Sequence, residues 1–154
     1  MQALTPFQDA IDIIKEEGGG ISKLCYQCGT CTSTCPWNLV RSFIVRKAMH
    51  QAQLGLTDFE SEDIWLCVTC KWCVDRCPRG VGIIDVWNSF RRAIVEMGIG
   101  GIPDSVRITA KNISSVGNPQ GEAREKRTDW IKDTGIKPFA KGMDVLYFAC
   151  CFNS

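Results

Sequence analysis

Two stretches decide the reading: Cys25–Pro36, CYQCGTCTSTCP, and Cys67–Pro78, CVTCKWCVDRCP. Each places its cysteines as C-x2-C-x2-C-x3-C, and each fourth cysteine precedes a proline. This is the ligand spacing of a [4Fe–4S] cluster, and it occurs twice. Three thiolates three residues apart, on a loop that wraps back on itself, reach three corners of a cubane. The fourth is turned away, because the following proline fixes φ and starts a new direction. In two-cluster proteins that fourth cysteine ligates the other cluster. The expected ligand sets are therefore Cys25, Cys28, Cys31 and Cys77 for cluster 1, and Cys67, Cys70, Cys73 and Cys35 for cluster 2. Such a crossing ties the two motifs into one unit and brings the clusters close enough for an electron relay.

Zinc is the competing metal. Four-cysteine zinc sites usually pair two separated C-x2-4-C knuckles, whereas each motif here has three evenly spaced cysteines and a fourth before proline. A three-iron cluster would require a missing ligand, and none is missing. The chain has 154 residues with ten cysteines and a net charge of +1. That charge gives no reason to expect a nucleic-acid or acidic-membrane partner. The N-terminus lacks a basic segment followed by an apolar one, so it does not read as a secretory signal. No run of about 18 apolar residues suggests a membrane span. Disulfides need an oxidising compartment, so the cysteines read as reduced metal ligands in a cytoplasmic protein.

Outward from the motifs, the pattern predicts helices. Thr5 to Glu17 carries Phe7, Ile11 and Ile14 at helical spacing, with Thr5 as cap and Pro6 in the first turn. Gly18, Gly19 and Gly20 end it. Asn38 to about Gln53 reads as a second helix, burying Val40, Phe43, Ile44 and Ala48, with Arg41, Arg46, Lys47, His50 and Gln51 on the polar face. Thr57 with Glu60, and Ser61, are capping signals for a short helix through Trp65. After the second motif, Ile83 to Met97 forms a strong helix. Val86, Phe90, Ala93 and Met97 make its stripe, widened by Ile83, Trp87 and Ile94. Pro103 opens a further helix with Val106, Ala110 and Ile113 inward. Gly117 to Arg127 reads as an exposed arm, anchored by a short helical turn at Trp130 and Ile131. Asp144 to Cys151, DVLYFACC, is the one β-strand. A lone strand needs a partner, from a longer polypeptide or from another protein.

Several residues near the motifs have two readings. Gly29, Gly80 and Gly82 are turn residues, or they let backbone N–H groups approach cluster sulfurs and raise the potential. Lys71, Arg76 and Arg79 are solvated loop residues, or cations that favour the reduced form of an anionic cubane. Trp37, Trp65 and Trp72 read as packing that keeps water from the clusters. His50, the one histidine, reads as a surface residue. Cys150 and Cys151 are inert small residues, part of a further metal site completed from outside the chain, or a strained redox disulfide.

The second motif in its context, Ile64–Val81 (IWLCVTCKWCVDRCPRGV), followed by an amphipathic helix, resembles the α-helical ferredoxin domain of the C-type iron–sulfur protein of heterodisulfide reductase. The same domain type occurs in succinate dehydrogenase and glycolate oxidase iron–sulfur subunits. The resemblance covers roughly Ile21 to Met97. The tail, Gly117–Trp130 (GNPQGEAREKRTDW) and then Val145–Cys151 (VLYFACC), is similar to the join in fused, D-type heterodisulfide reductase proteins between this domain and a cysteine-rich domain. Tyr147, Phe148 and Cys151 match the Y-F-x-x-C that opens that domain; Cys150 stands where the family often has glycine.

Together these readings predict an all-α fold: an α-helical ferredoxin domain with two [4Fe–4S] clusters, plus an extended C-terminal arm ending in one β-strand. The expected divisions are 1–20, an N-terminal helix and linker; 21–100, the ferredoxin domain; 101–143, a helix and extended linker; and 144–154, the start of a cysteine-rich domain. The expected role is electron transfer within a heterodisulfide reductase-like complex, with no catalytic residue in this chain. The donor would be a flavoprotein or iron–sulfur subunit, and the acceptor a cysteine-rich subunit or domain. The alternatives are an iron–sulfur subunit of a quinone-linked membrane complex of the sulfite-reduction type, held at the cytoplasmic face by a membrane cytochrome, and a structural zinc module.

Overall fold

The computed structural model describes residues 5–56, 61–98, 100–147 and 150. The chain divides into two compact units, 1–102 and 103–154. The described residues are mostly helical and include no strand.

The first unit is built on helix α6, Ile83–Met97. Ile83, Val86, Trp87, Phe90, Ala93 and Ile94 are buried, a stripe at helical spacing that faces the core. Gly98 caps its end at φ 62°. Met97, expected on the stripe, is 45% exposed because the helix has by then left the core. Against α6 pack α1 (Gln8–Glu16) and the 3-10 helix Gly19–Leu24. The approach is close at Gly19, where a Cβ would strike Ser89 and Ile14.

Helix α1 starts later than expected. Phe7, not Thr5, occupies the cap position, and no side chain caps the helix. Ala10 and Ile14 are its buried residues.

The expected helix from Asn38 is also shorter. A 3-10 turn, Pro36–Leu39, comes first, and α3 covers Val45–Leu54. Asn38 is the reason. Its amide donates to the Thr32 carbonyl at 2.6 Å and the Phe43 carbonyl at 3.1 Å, and its oxygen accepts from the Phe43 N–H at 2.9 Å. A side chain that binds backbone groups in this way competes with helix hydrogen bonds. Of the face expected to be buried, Phe43 and Ala48 are buried, while Val40 and Ile44 are exposed. Gln51, expected on the polar face, is 4% exposed. Helix α3 ends at Gly55, at φ 61°, where a Cβ would strike the Phe7 carbonyl. The Phe7 N–H in turn bonds the Leu54 carbonyl at 3.2 Å.

Three short helices complete this unit: α2 (Thr30–Thr34), α4 (Asp63–Leu66) and α5 (Trp72–Asp75). The capping signals at Thr57 and Glu60 lie outside the described residues.

In the second unit Pro103 caps α7, Asp104–Val116. None of its residues is buried, so Val106, Ala110 and Ile113 do not form an inward face here. The stretch expected to be an open arm is exposed but ordered by hydrogen bonds. Asn118, 5% exposed, accepts from the Gly121 and Glu122 N–H groups and donates to the Glu122 carbonyl. Arg124 and Arg127 donate to the Val116 carbonyl at the C-terminal end of α7, and Arg127 also to that of Gly117. A 3-10 helix, Arg124–Ile131, follows. Asp144–Tyr147 forms no strand: the apolar residues there are exposed and find no neighbouring strand to pair with among the described residues. Phe148, Ala149 and Cys151 lie outside the described residues.

Candidate metal centre

The two cysteine loops share one backbone conformation. In the first, Gln27 (φ 65°) and Gly29 (φ 85°) are left-handed; in the second, Thr69 (φ 55°) and Lys71 (φ 67°) hold the equivalent places. Three of these four are not glycine. A left-handed non-glycine residue costs on the order of 1–3 kcal/mol and clusters at ligand clamps. These turns wind the chain around the first three cysteines. Each loop then enters a short helix, α2 or α5, opened by matching bonds: Ser33 N–H to the Gly29 carbonyl, and Asp75 N–H to that of Lys71. The fourth cysteines are held alike. Cys35 N–H bonds the Thr32 carbonyl at 3.3 Å, and Cys77 N–H the Val74 carbonyl at 3.0 Å.

Helices α2 and α5 pack against each other, so each fourth cysteine sits beside the opposite loop. One small cavity is lined by Cys25, Cys28, Cys31 and Cys77, with Gly29, Thr30, Arg46 and Val81. A second is lined by Cys35, Cys67, Cys70 and Cys73, with Trp37, Phe43, Trp72 and Trp87. Ile83, the first residue of α6, lines both. The thiols ring these cavities rather than meeting at a point. Among the described residues no group of three or more His, Cys, Asp or Glu side chains is arranged to hold a single metal ion.

The donor set suits a soft, thiolate-bound group. Cys28 and Cys70, the second cysteine of each motif, are exposed, and Cys31 is buried. Burial pushes the thiols of Cys31, Cys35 and Cys67 up. Cys73 is pushed up to about 12 by burial, reinforced by Cys67, Cys31 and Cys70. Ile83, shared by both linings, makes the two cavities near neighbours. Cys28 moves the other way, because the Thr30 hydroxyl, 3.3 Å from its sulfur, favours the thiolate.

Polar side chains aimed at sulfur are concentrated on the first cavity. Gln27 Nε2 donates to Cys25 Sγ at 3.6 Å, and the Val81 N–H, between Gly80 and Gly82, donates to Cys77 Sγ at 3.3 Å. Trp37 Nε1 bonds the Leu66 carbonyl at 2.7 Å and Trp87 Nε1 the Ile64 carbonyl at 2.9 Å, fixing the entry to the second loop. Trp72, expected to exclude water, is 52% exposed, with the Arg76 guanidinium 4.9 Å from its ring centre. Lys71, Arg76 and Arg79 are exposed, as is His50. Cys150 is exposed and Cys151 lies outside the described residues.

Two further residues, neither flagged by the cysteine pattern, clamp the loops. Gln53 Nε2 donates to the carbonyls of Ser22 (3.0 Å) and Cys25 (2.6 Å). Arg91 donates to those of Ile64 (Nε, 3.0 Å) and Cys67 (Nη2, 2.6 Å). In each motif these are the first cysteine and the residue three before it. The sequence carries a partial signal for Arg91: a cation one turn beyond Trp87 on an otherwise apolar face of α6.

Residues 24–81 match the 4Fe–4S dicluster domain family. Such a domain carries two [4Fe–4S] clusters. The chain is similar to the C-type iron–sulfur protein of CoB–CoM heterodisulfide reductase from Methanopyrus kandleri, 39% identical over 98 residues, which are 62% of this chain and 51% of that protein. A second C-type iron–sulfur protein of the Methanocaldococcus jannaschii enzyme is 43% identical over 77 residues, 49% of this chain and 41% of the relative. The C-type component of the ferredoxin:CoB–CoM heterodisulfide reductase of Methanosarcina mazei is 34% identical over 92 residues, 59% of this chain and 56% of the relative. The chain thus spans about half the length of the curated relatives it matches. Among the described residues no helix is long and apolar enough to cross a membrane.

Proposed function

We propose that this 4Fe–4S dicluster chain is the electron relay of a heterodisulfide reductase-like complex. Cys25, Cys28, Cys31 and Cys77 hold one cluster, and Cys35, Cys67, Cys70 and Cys73 hold the other. The observation that carries the reading is the pair of neighbouring cavities, each ringed by four thiols and each borrowing one from the opposite motif.

When bound, each cluster supplies one-electron redox chemistry. The chain's own residues do the rest. Left-handed turns at Gln27, Gly29, Thr69 and Lys71 present the thiols. Cys28 and Cys70 carry one corner of each site to the surface, where a donor or acceptor can approach. Cys31 is buried and Ile83 lines both cavities, so the two sites are joined through the interior. Trp37, Phe43 and Trp87 keep water from the second cavity. The donor is a flavoprotein or iron–sulfur subunit, and the acceptor is a cysteine-rich subunit or domain; the relatives' names support only membership of a heterodisulfide reductase with other subunits.

The test is iron, acid-labile sulfide and zinc per chain on protein purified without oxygen, with EPR of the dithionite-reduced sample. The expected result is about eight iron and eight sulfide with two interacting reduced cubanes. About two zinc and no iron would overturn the relay and leave a structural module.

A further inference from the structure

The loop clamps are equivalent in geometry and different in charge. Gln53, from α3, and Arg91, from α6, bond corresponding carbonyls at matching distances: 3.0 and 2.6 Å for Gln53, 3.0 and 2.6 Å for Arg91. One clamp is a neutral amide. The other is a guanidinium, about half-buried, seated against the Trp65 ring and in no ion pair among the described residues. Burying a cation without an acid partner is unfavourable unless something else compensates it. A bound cubane on four thiolates is anionic and is the natural counter-charge, because the Cys67 carbonyl that Arg91 grips belongs to one of the second site's own cysteines.

The first site has what the second lacks. Side chains meet its sulfurs, among them the Gln27 amide and the Thr30 hydroxyl, and the Val81 N–H adds a backbone contact. Among the described residues no side-chain donor reaches the sulfur of Cys67, Cys70 or Cys73. The second site's sulfur contacts come from the backbone, at Thr69 for Cys67 and at Trp37 for Cys35. Hydrogen bonds to sulfur and local charge are alternative ways of setting a cluster's potential. Exposed cations also stand nearby: Arg46 lines the first cavity, and Lys71, Arg76 and Arg79 flank the second loop. Their fields are screened by water and salt, whereas a half-buried charge is screened much less.

We propose that Arg91 is the positioning residue that sets the reduction potential of the second cluster, doing by charge what sulfur-directed side chains do for the first. A guanidinium beside the cluster stabilises its more negative, reduced form and raises the potential. Two differently supported sites are thereby kept close enough in potential for an electron to pass between them. This inference rests on the dicluster reading above.

The test is an EPR-monitored redox titration of the full, cluster-loaded chain. Arg91→Gln places the first site's clamp in the second. It should lower one of the two midpoint potentials by at least the equivalent of a tenfold change in the reduction equilibrium, 59 mV for one electron, and leave the other in place. Arg91→Lys keeps the charge and should hold most of the wild-type potential. Gln53→Arg, the reciprocal change, should raise the other midpoint. The shift in Arg91→Gln should persist at high salt, whereas any effect of Arg46→Gln should shrink. If Arg91→Gln fails to retain its second cluster, Gln53→Arg decides: no upward shift overturns the proposal. It is equally overturned if Arg91→Lys behaves like Arg91→Gln, or if both midpoints stay put in Arg91→Gln. Wild-type protein that binds no iron would instead sink the dicluster reading itself, a result separable from all of these.

Discussion

The crossed arrangement of cysteines can be read from pairs of alanine substitutions. The structure puts Cys25 and Cys77 on one cavity and Cys25 and Cys35 on different ones. Each single variant, Cys25→Ala, Cys35→Ala or Cys77→Ala, removes one of four thiols from one site, so about four of about eight iron should remain after anaerobic desalting. The doubles separate the topologies. In Cys25→Ala/Cys77→Ala both losses fall on one site, so iron should stay at about four, no lower than in either single. In Cys25→Ala/Cys35→Ala both sites are hit, and iron should fall towards zero. Such non-additivity is the mark of residues acting as a unit. The assay is iron and sulfide per chain, with EPR to detect any three-iron remnant that would inflate the count. The refuting result is the reverse: the Cys25/Cys35 double keeps half its iron, and the Cys25/Cys77 double keeps none. That would mean each motif closes on its own cluster and that the convergence of Cys77 on the first loop has no ligating role.

Three further outcomes follow from the scaffold. Gly55→Ala should destabilise the protein by at least about 1–3 kcal/mol from its left-handed backbone. Displacing the Phe7 carbonyl adds to that, while Gly98→Ala, at a similar φ with open space around it, should cost no more than the backbone share; denaturant melts compare them. Asn38→Ala deletes three hydrogen bonds at about 1 kcal/mol each, so a loss of about 3 kcal/mol is expected, and Asn38→Asp should recover part of it because its oxygen still accepts from the Phe43 N–H. In metal-free protein the raised thiol of Cys73 means that its contribution to stability is present below the ordinary thiol pKa, about 8.5, and is lost as pH climbs towards about 12. Thermal midpoints by circular dichroism should therefore fall steadily from about pH 8 to about pH 10.5; a flat or rising profile would show that these thiols are not buried in the native fold.

What could be read in advance depended on whether the cause was local. Helix α6 runs over the expected residues, Ile83–Met97, because one clean apolar stripe and a closing glycine carry the signal within the segment itself. Asn38 to about Gln53 misled because the deciding interaction is between Asn38 and carbonyls on both sides of it; periodicity registers apolar spacing, not a polar side chain that binds the backbone. Gln51 is buried for reasons no helical wheel contains. The left-handed residues Gln27, Thr69 and Lys71 gave no warning, since glycine is the usual marker of such a conformation and only Gly29 among the four has it. Gln53 and Arg91 reach carbonyls 28 and 24 residues away, so their role belongs to the folded chain. The expected strand at Asp144 failed for the converse reason. Its composition is right for a strand, but a strand exists only where another supplies the other half of its hydrogen bonds, and none does so among the described residues.

These elements together explain why the domain is built across itself. The two loops store the strain of three left-handed non-glycine residues, and burial raises two thiols in each, Cys31 and Cys35 in the first and Cys67 and Cys73 in the second. Neither condition favours the empty state as a resting fold. Binding a thiolate-ligated group releases those protons and uses the strained geometry, so cluster loading and folding draw on the same free energy. With the proposed ligand sets, one thiol of each site comes from the other loop, so neither half could collect that energy alone. The packing of α2 against α5, the hydrogen bond from Trp37 to Leu66 and that from Trp87 to Ile64 join the two motifs. The loss of either group would therefore be felt by both loops, which makes the pair of sites, rather than each motif, the unit that folds.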